Sequence, residues 1–377
     1  MTAGAVTPVV VLGPVDRTVD WQRLAAHHWD RRPALLRGAA PFDPHEVFEG
    51  AVAAAQHTAA ERVRLTVGRR LLTDPGDLLP RPEDGSFTAY DRRVQAQLSA
   101  TPFTLTTDSL HTDHHPLWAR ERTFLAQLWT HVGQPLPAIG TTLHHGTTTP
   151  RHLAPATPAA TFLYVLHGRP HLHLTAPDGT HHCATVTPGD LLYWPADHTP
   201  TVHPPHSPAT TVRITIPRTP PPPLDSAPPP ASHLNPFVPD GSPPDDLPAT
   251  LPPALSSALN HLRGETRPAP LRRRLAREAL RHATDAGLRP VPPPARPGYF
   301  TDDDAVRAVE RVVWMPAGGH RYVAACGHVT RTDLPPRELT PLLTLLNTGA
   351  PVPVADLPPP ARRLLSLLSG FRAVERL

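Results

Sequence analysis

The sequence predicts an α+β protein, a β-sandwich or barrel flanked by helical segments, and three observations predict it. Residues 138–216 break into short runs rich in Val, Leu, Thr, Tyr and Phe, separated by Pro, Gly and Asp. Antiparallel strands joined by tight turns read this way. The flanking stretches carry capping residues ahead of longer Ala-, Leu- and Arg-rich runs, which is the pattern of helices. Residues 219–262 are too dense in proline to pack as an element and read as a linker. The expected division is therefore 1–218, a linker over 219–262, and a last domain over 263–377.

Taken in order, residues 15–135 read mainly as helix, beginning with VDWQRLAAHHWD, with a strand-like PALLRGA inserted. Asp43-Pro44-His45-Glu46 supplies an N-cap, a proline at the first helical position and a capping-box glutamate ahead of VFEGAVAAAQ. The strands are TFLYVL, HLHLT, CATV, LLYW and TTVRITI, with APDG and TPGD as hairpin turns, so a compact antiparallel meander is expected. Beyond the linker, LRRRLAREALRHATDAGL reads as a helix closed by Gly287. The remainder predicts a helix over DDAVRAVERV, two strands around MPAGGH, and the helices PRELTPLLTLLNTG and ARRLLSLLSGFRAVERL. Helices with a small hairpin suggest a winged-helix-like module whose leucine stripes are core.

Composition narrows the function. No run approaches the roughly 18 apolar residues of a membrane span, and no basic start precedes an apolar leader, so a cytoplasmic protein with no membrane partner is expected. The two cysteines, Cys183 and Cys326, lie far apart and form no CxxC pair. They are expected as buried small hydrophobes rather than a disulfide or zinc site. The net charge of +3 is small for 377 residues, the one arginine run is Arg272-Arg273-Arg274, and PRELTPLLTLLNTG carries one arginine and one glutamate. Nucleic acid is therefore not an expected partner. The chain has no lysine, which excludes Schiff-base chemistry, lysine bases and lysine carboxylate clamps. A GxSxG elbow and glycine-rich phosphate loops are also absent.

Two stretches resemble a known family. HHWDRRPALLRGAAP is similar to the lead-in of the JmjC-type, cupin-fold 2-oxoglutarate oxygenases of bacteria, where a Trp, a basic pair, Pro and a Leu-rich strand precede the barrel. IGTTLHHGTTTPRHLAPATPAATFLYVLHGRPHLHL followed by PGDLLYWPADHTP is similar to the family's HxD stretch, its Gly-Arg hairpin and its Trp-Pro step before a distal histidine. The resemblance covers about residues 20 to 216, and the order of parts looks like that of the bacterial ribosomal oxygenases. It implies a double-stranded β-helix (cupin/jelly-roll) barrel with N-terminal helices and a C-terminal winged-helix-like module. It also implies a chemistry in which two histidines and one carboxylate hold Fe(II) beside 2-oxoglutarate.

At every ligand position the sequence departs from that pattern. The HxD window falls on Leu153–Thr157, with His152 the nearest imidazole, and no Asp or Glu occurs between Glu121 and Asp178. The distal position is Pro200, flanked by His198 and His203. Metal candidates are accordingly His152, His198 and His203, and an all-histidine site could add His144 or His145, since neutral imidazoles suffice for iron, copper or zinc. Arg169 is the cofactor-binding candidate, an arginine able to grip a carboxylate of 2-oxoglutarate bidentately, while Pro170 fills the alternative basic position. The literal HxD of the chain, His111-Thr112-Asp113, precedes a helix and reads as a loop or cap. His171 and His173 share one strand face, and His181 and His182 straddle both.

The expectation is a protein of this family type that lacks the usual iron ligands and serves as a non-catalytic peptide- or protein-binding module, with a homodimer as a further expectation. The alternative is an active Fe(II)/2-oxoglutarate-dependent hydroxylase of a peptide or protein with displaced ligands. A third class places the activity in the C-terminal module as an interaction surface.

Overall fold

The computed structural model describes residues 6–13, 19–39, 41–57, 62–99, 101–147, 158–203, 208–218 and 268–377. Two compact units divide them: the residues up to Arg218 with Leu288–Pro292 form one, and Pro268–Gly287 with Pro293–Leu377 the other. The expected linker over 219–262 lies outside the described residues.

The first unit opens with β1 (Val6–Pro8), β2 (Val10–Leu12), α1 (Trp21–His27), β3 (Ala34–Leu36), α2 (Pro44–His57), β4 (Val63–Val67), β5 (Arg70–Leu71) and α3 (Phe87–Gln97). It continues with β6 (Phe103–Asp108), α4 (His115–Val132), β7 (Gly140–Gly146), β8 (Ala159–His167), β9 (His171–Thr175), β10 (His181–Thr185), β11 (Leu191–Trp194), β12 (Thr199–His203) and β13 (Ala209–Pro217). These strands make two sheets, a small one in the order β1-β10-β9-β12 and a large one in the order β2-β3-β11-β8-β13-β7-β6-β4-β5. All five strands expected between residues 138 and 216 are present, but they do not form a meander. APDG is a hairpin turn, with Ala176 donating to Thr180 at 2.9 Å and Gly179 at φ +82°. TPGD instead carries the chain from β10 in the small sheet to β11 in the large one. Its Asp190 is buried, accepts from the Thr187 amide at 3.0 Å, and pairs with Arg37, so the turn is pinned to the large sheet.

The stretch expected as mainly helical also contains the strands β4 and β6. Both pair antiparallel, β6 with β7 and β4 with β6, and FTLTTD alternates buried with half-buried residues, as a strand with one covered face does. Helix α2 starts where the capping signal put it, with Asp43 Oδ1 accepting from the His45 amide at 2.8 Å. Glu46 does not close the capping box; its carboxylate pairs with Arg120 at 2.7 Å. The helical side of the large sheet is aromatic: Trp29 stacks on Tyr193 at 5.4 Å, and Trp21 meets Phe162 edge-on at 6.3 Å.

In the second unit, α5 (Pro268–Asp285) packs on the antiparallel sheet of β15 (Val313–Ala317), β16 (His320–Ala325) and β17 (His328–Thr332). A sheet in the order β18 (Val352–Pro353), β14 (Ala305–Ala308), β19 (Val374–Arg376) stands with the helices α6 (Pro336–Asn347) and α7 (Pro359–Gly370). Two expectations are corrected here. DDAVRAVERV is not a helix, because Val306 is fully buried and pairs with both Val352 and Arg376, and such pairing overrides local helix propensity. The last helix does not run to the end of the chain; it stops at Gly370, Arg372 takes φ +60°, and Val374–Arg376 becomes a strand. Gly287, at φ +83°, follows α5 as expected. Among the described residues no helix is long and apolar enough to cross a membrane.

Candidate binding site on the inner face of the barrel

Strand alternation decides what faces the space between the two sheets. Leu172 and Leu174 of β9, Ala184 of β10 and Val202 of β12 meet Leu35, Leu163, Val165, Leu192 and Trp194 of the large sheet in one aliphatic cluster. This part of the inner face is therefore packed with hydrocarbon. The same inner face continues across β13, β7, β6 and β4, and there it changes character. Arg213 stands opposite Leu163 on one side and Thr142 on the other. Thr211 stands opposite His144, His144 opposite Thr106, and Thr106 opposite Arg64.

The result is a polar strip beside an aliphatic core. Arg64 pairs with Asp108 at 2.7 Å, and Asp108 also accepts from the Thr142 hydroxyl at 3.0 Å. Thr106 Oγ1 lies 3.3 Å from His144 Nδ1, while His144 Nε2 is buried with no hydrogen-bond partner among the described residues. Burial, with the charges of Arg213 and Arg64 behind it, pushes His144 down to about 3. Burial also lowers Arg213, and Asp108 partly restores it. The imidazole is thus neutral, Asp108 offsets one arginine, and the strip keeps an excess positive charge. In the tautomer where the Thr106 hydroxyl donates to Nδ1, Nε2–H is left as a donor, and the strip then suits a carboxylate or another small anion. The sequence points to His144 only as a metal ligand and gives Arg213, Arg64 and Asp108 no role. The available signal was Arg213 set between Val212 and Ile214 in TTVRITI, which puts a charge on the face opposite to the two buried aliphatics.

Of the expected site residues, Arg169 and His198 have described side chains. Arg169 is exposed in the β8–β9 turn after Gly168, which has φ +84°. His198 is buried ahead of β12, with Nδ1 2.7 Å from Asp197 and its ring stacked on His182 at 6.0 Å. His203 ends β12 with its backbone opposite His171, and its side chain, like all of His152, lies outside the described residues. Pro200 is buried opposite Leu174, on the core-facing set of β12 that includes Val202. His145 faces the helices, with Nδ1 2.8 Å from Thr210 Oγ1 and Nε2 3.0 Å from Asp91. His111 is fully buried 3.2 Å from Glu121, and Asp113 pairs with Arg62 at 2.6 Å, so this HxD is structural. Cys326 is buried as expected, whereas Cys183 is half-buried on the outward face of β10, because its pairing partner is His173 rather than a core residue. Among the described residues no three His, Cys, Asp or Glu side chains converge as metal ligands do. With Pro200 at the distal position and no carboxylate between Glu121 and Asp178, the residues present do not fit a two-histidine, one-carboxylate iron centre.

Large antiparallel sheets folded over an aliphatic core and backed by helices make a cupin/jelly-roll type of fold. In particular, the chain is similar over 96% of its length to Escherichia coli ycfD, covering 99% of that chain at 15% identity and a TM-score of 0.52. A further structure of this protein, described as a ribosomal oxygenase, matches at 14% identity and a TM-score of 0.51 over 95% and 98% of the two chains. Another, in complex with cobalt and 2-oxoglutarate, matches at 13% identity and 0.50 over the same shares. The resemblance read in the sequence is thus borne out in the fold. No family model and no curated protein matches the chain.

Proposed function

We propose that this chain is a cupin-fold binding protein that takes a peptide or protein partner on the inner face of its barrel and does no iron chemistry there. One contrast carries the reading: the distal ligand position holds Pro200 packed beside the aliphatic cluster, while the inner face also carries a polar strip in which His144 is buried, Arg213 half-buried and Arg64 exposed at the edge. The group recognised is a carboxylate, supplied by an acidic side chain or a chain terminus. The similarity to a protein described as a ribosomal oxygenase makes ribosomal proteins the first partners to test. Residues 263–377 are read as a winged-helix-like module, supported by two leucine-lined helices beside a three-stranded sheet.

The test is metal analysis of tag-free protein after anaerobic incubation with Fe(II). No stoichiometric iron is expected. Tight iron lost on substituting His152, His198 or His203 would overturn the reading.

The alternative is an active Fe(II)/2-oxoglutarate-dependent hydroxylase with displaced ligands. Its support is the same strip, which suits 2-oxoglutarate as well as a peptide carboxylate. It requires succinate formation stimulated by a substrate and weaker 2-oxoglutarate binding in Arg169→Ala or Arg213→Ala.

A further inference from the structure

Away from the barrel interior, the outward face of the small sheet carries a pair of imidazoles in an unusual relation. The run HLHLT sends Leu172 and Leu174 into the aliphatic cluster, so His171 and His173 occupy the opposite face. Their Nε2 atoms lie 3.1 Å apart, with the ring centroids at 4.9 Å and the planes at 75°. The two rings share no backbone turn that would force this approach; a strand repeat alone separates their Cα atoms by about 6 to 7 Å.

We propose that His171 and His173 form a two-histidine site for a divalent transition-metal ion of the zinc, nickel or copper type. Imidazole nitrogen binds such ions at about 2.0 to 2.1 Å. Two nitrogens 3.1 Å apart then subtend an angle of about 100° at the ion, between the octahedral and tetrahedral values. His171 Nδ1 lies 3.0 Å from the Thr185 hydroxyl on β10. A partner on Nδ1 fixes the ring orientation, as outer-shell partners of ligating histidines do, and Nε2, hydrogen-bonded to His173 Nε2 in the metal-free protein, turns to the ion as the ion replaces that bond. Strand β9 is held on both sides, by β10 and β12, so the two ligands are carried on backbone that does not need to be ordered on binding. Among the described residues no third His, Cys, Asp or Glu completes a set, and water fills the remaining positions. Hard cations are disfavoured, because neutral imidazole pairs suit borderline ions rather than calcium or magnesium. The site is separate from the barrel interior and does not rest on the reading given for it.

The test is zinc titration of the full chain against a chromophoric chelator, comparing the natural protein with His171→Gln, His173→Gln and, as a control from the second unit, His320→Gln. The expected result is one zinc equivalent whose affinity falls at least tenfold in either of the first two variants and is unchanged in the third. As a measurement that needs no variant, substoichiometric Cu(II) should broaden the His171 and His173 ring signals ahead of the other histidines in the NMR spectrum. Zinc affinity and stoichiometry unaltered in both variants, or copper broadening that begins elsewhere, would overturn the proposal.

Discussion

His145 Nε2 lies 3.0 Å from Asp91 Oδ1, and this bond ties strand β7 to helix α3 inside the core. The imidazole is closed at its other nitrogen by Thr210, 2.8 Å away on the neighbouring strand, and wrapped by Phe87, Tyr90 and Phe103. Three buried polar groups thus satisfy one another across a sheet and a helix. Asp91→Ala leaves the ring nitrogen buried and unpaired, at a cost of about 1 to 3 kcal/mol. Urea unfolding should show that loss, and a variant as stable as the natural chain would refute it.

The buried His144 sets a pH dependence. Its folded-state value is pushed down to about 3, against about 6.5 for an unfolded histidine. Between those values the unfolded chain holds the extra proton and the folded chain does not. The stabilising contribution is complete above about 6.5 and drains away as pH falls toward 3, by about 1.4 kcal/mol per pH unit. His144→Leu should flatten the acid side of the stability profile; the same slope in both proteins would count against this account.

Glu121 and His111 are wholly buried with Oε2 and Nδ1 3.2 Å apart, close but not aligned as a hydrogen bond, and Glu121 also accepts the Thr141 hydroxyl through Oε1. Removing one partner of such a pair strands the other in the core and costs about 3 to 5 kcal/mol, whereas apolar replacement of both is far milder. Glu121→Ala should therefore lower the melting temperature more than the double variant His111→Leu with Glu121→Leu. Equal losses would show that the pair is not coupled.

Gly146 has φ +148°, and a Cβ there would lie 2.2 Å from the Phe103 carbonyl oxygen, which is backbone and cannot move aside. That oxygen also accepts from the Thr147 amide at 3.0 Å. Gly146→Ala should break the end of the β6–β7 ladder and give insoluble or strongly destabilised protein, read by expression and thermal melting. A soluble variant with an unchanged melting temperature would contradict this.

On the functional side, Arg213→Gln should weaken binding of acidic peptides at least tenfold, with binding of the natural protein falling as salt rises. Fluorescence anisotropy with labelled peptides measures both, and an unchanged affinity would remove Arg213 from the site.

The elements that could be read in advance were those whose signal is local. TFLYVL, LLYW and TTVRITI are dense enough in β-branched and aromatic residues to be strands anywhere, and Asp43 before Pro44 caps a helix by its own side chain. The errors fall where a distant partner decides. VRLTV and AVRA become strands because β6 and the pair β18 and β19 lie alongside them. TPGD has the residues of a hairpin, but Asp190 is held by Arg37, a contact across most of the unit. In the site, the departure from the resembled ligand pattern is legible at Pro200, because the proline side chain has no donor atom to offer. The strip was not, because its members come from four strands whose register no single segment encodes.

Strand β1 joins the small sheet through Val6 beside His181, and β2 joins the large sheet through Val10 beside Ala34, with only Val9 between them, buried in the aliphatic cluster. This seven-residue clasp stitches both layers along one margin. Its place in the small sheet does not exist until β10 has been synthesised and paired, so a growing chain must carry the segment unsheltered, with Val10 and Val11 still half exposed even in the finished fold. Pairing over such a span is slow, and unpaired apolar strands invite foreign edges. The clasp thus pairs residues about 175 positions apart in one layer and about 24 in the other, so its two halves close loops of very different length.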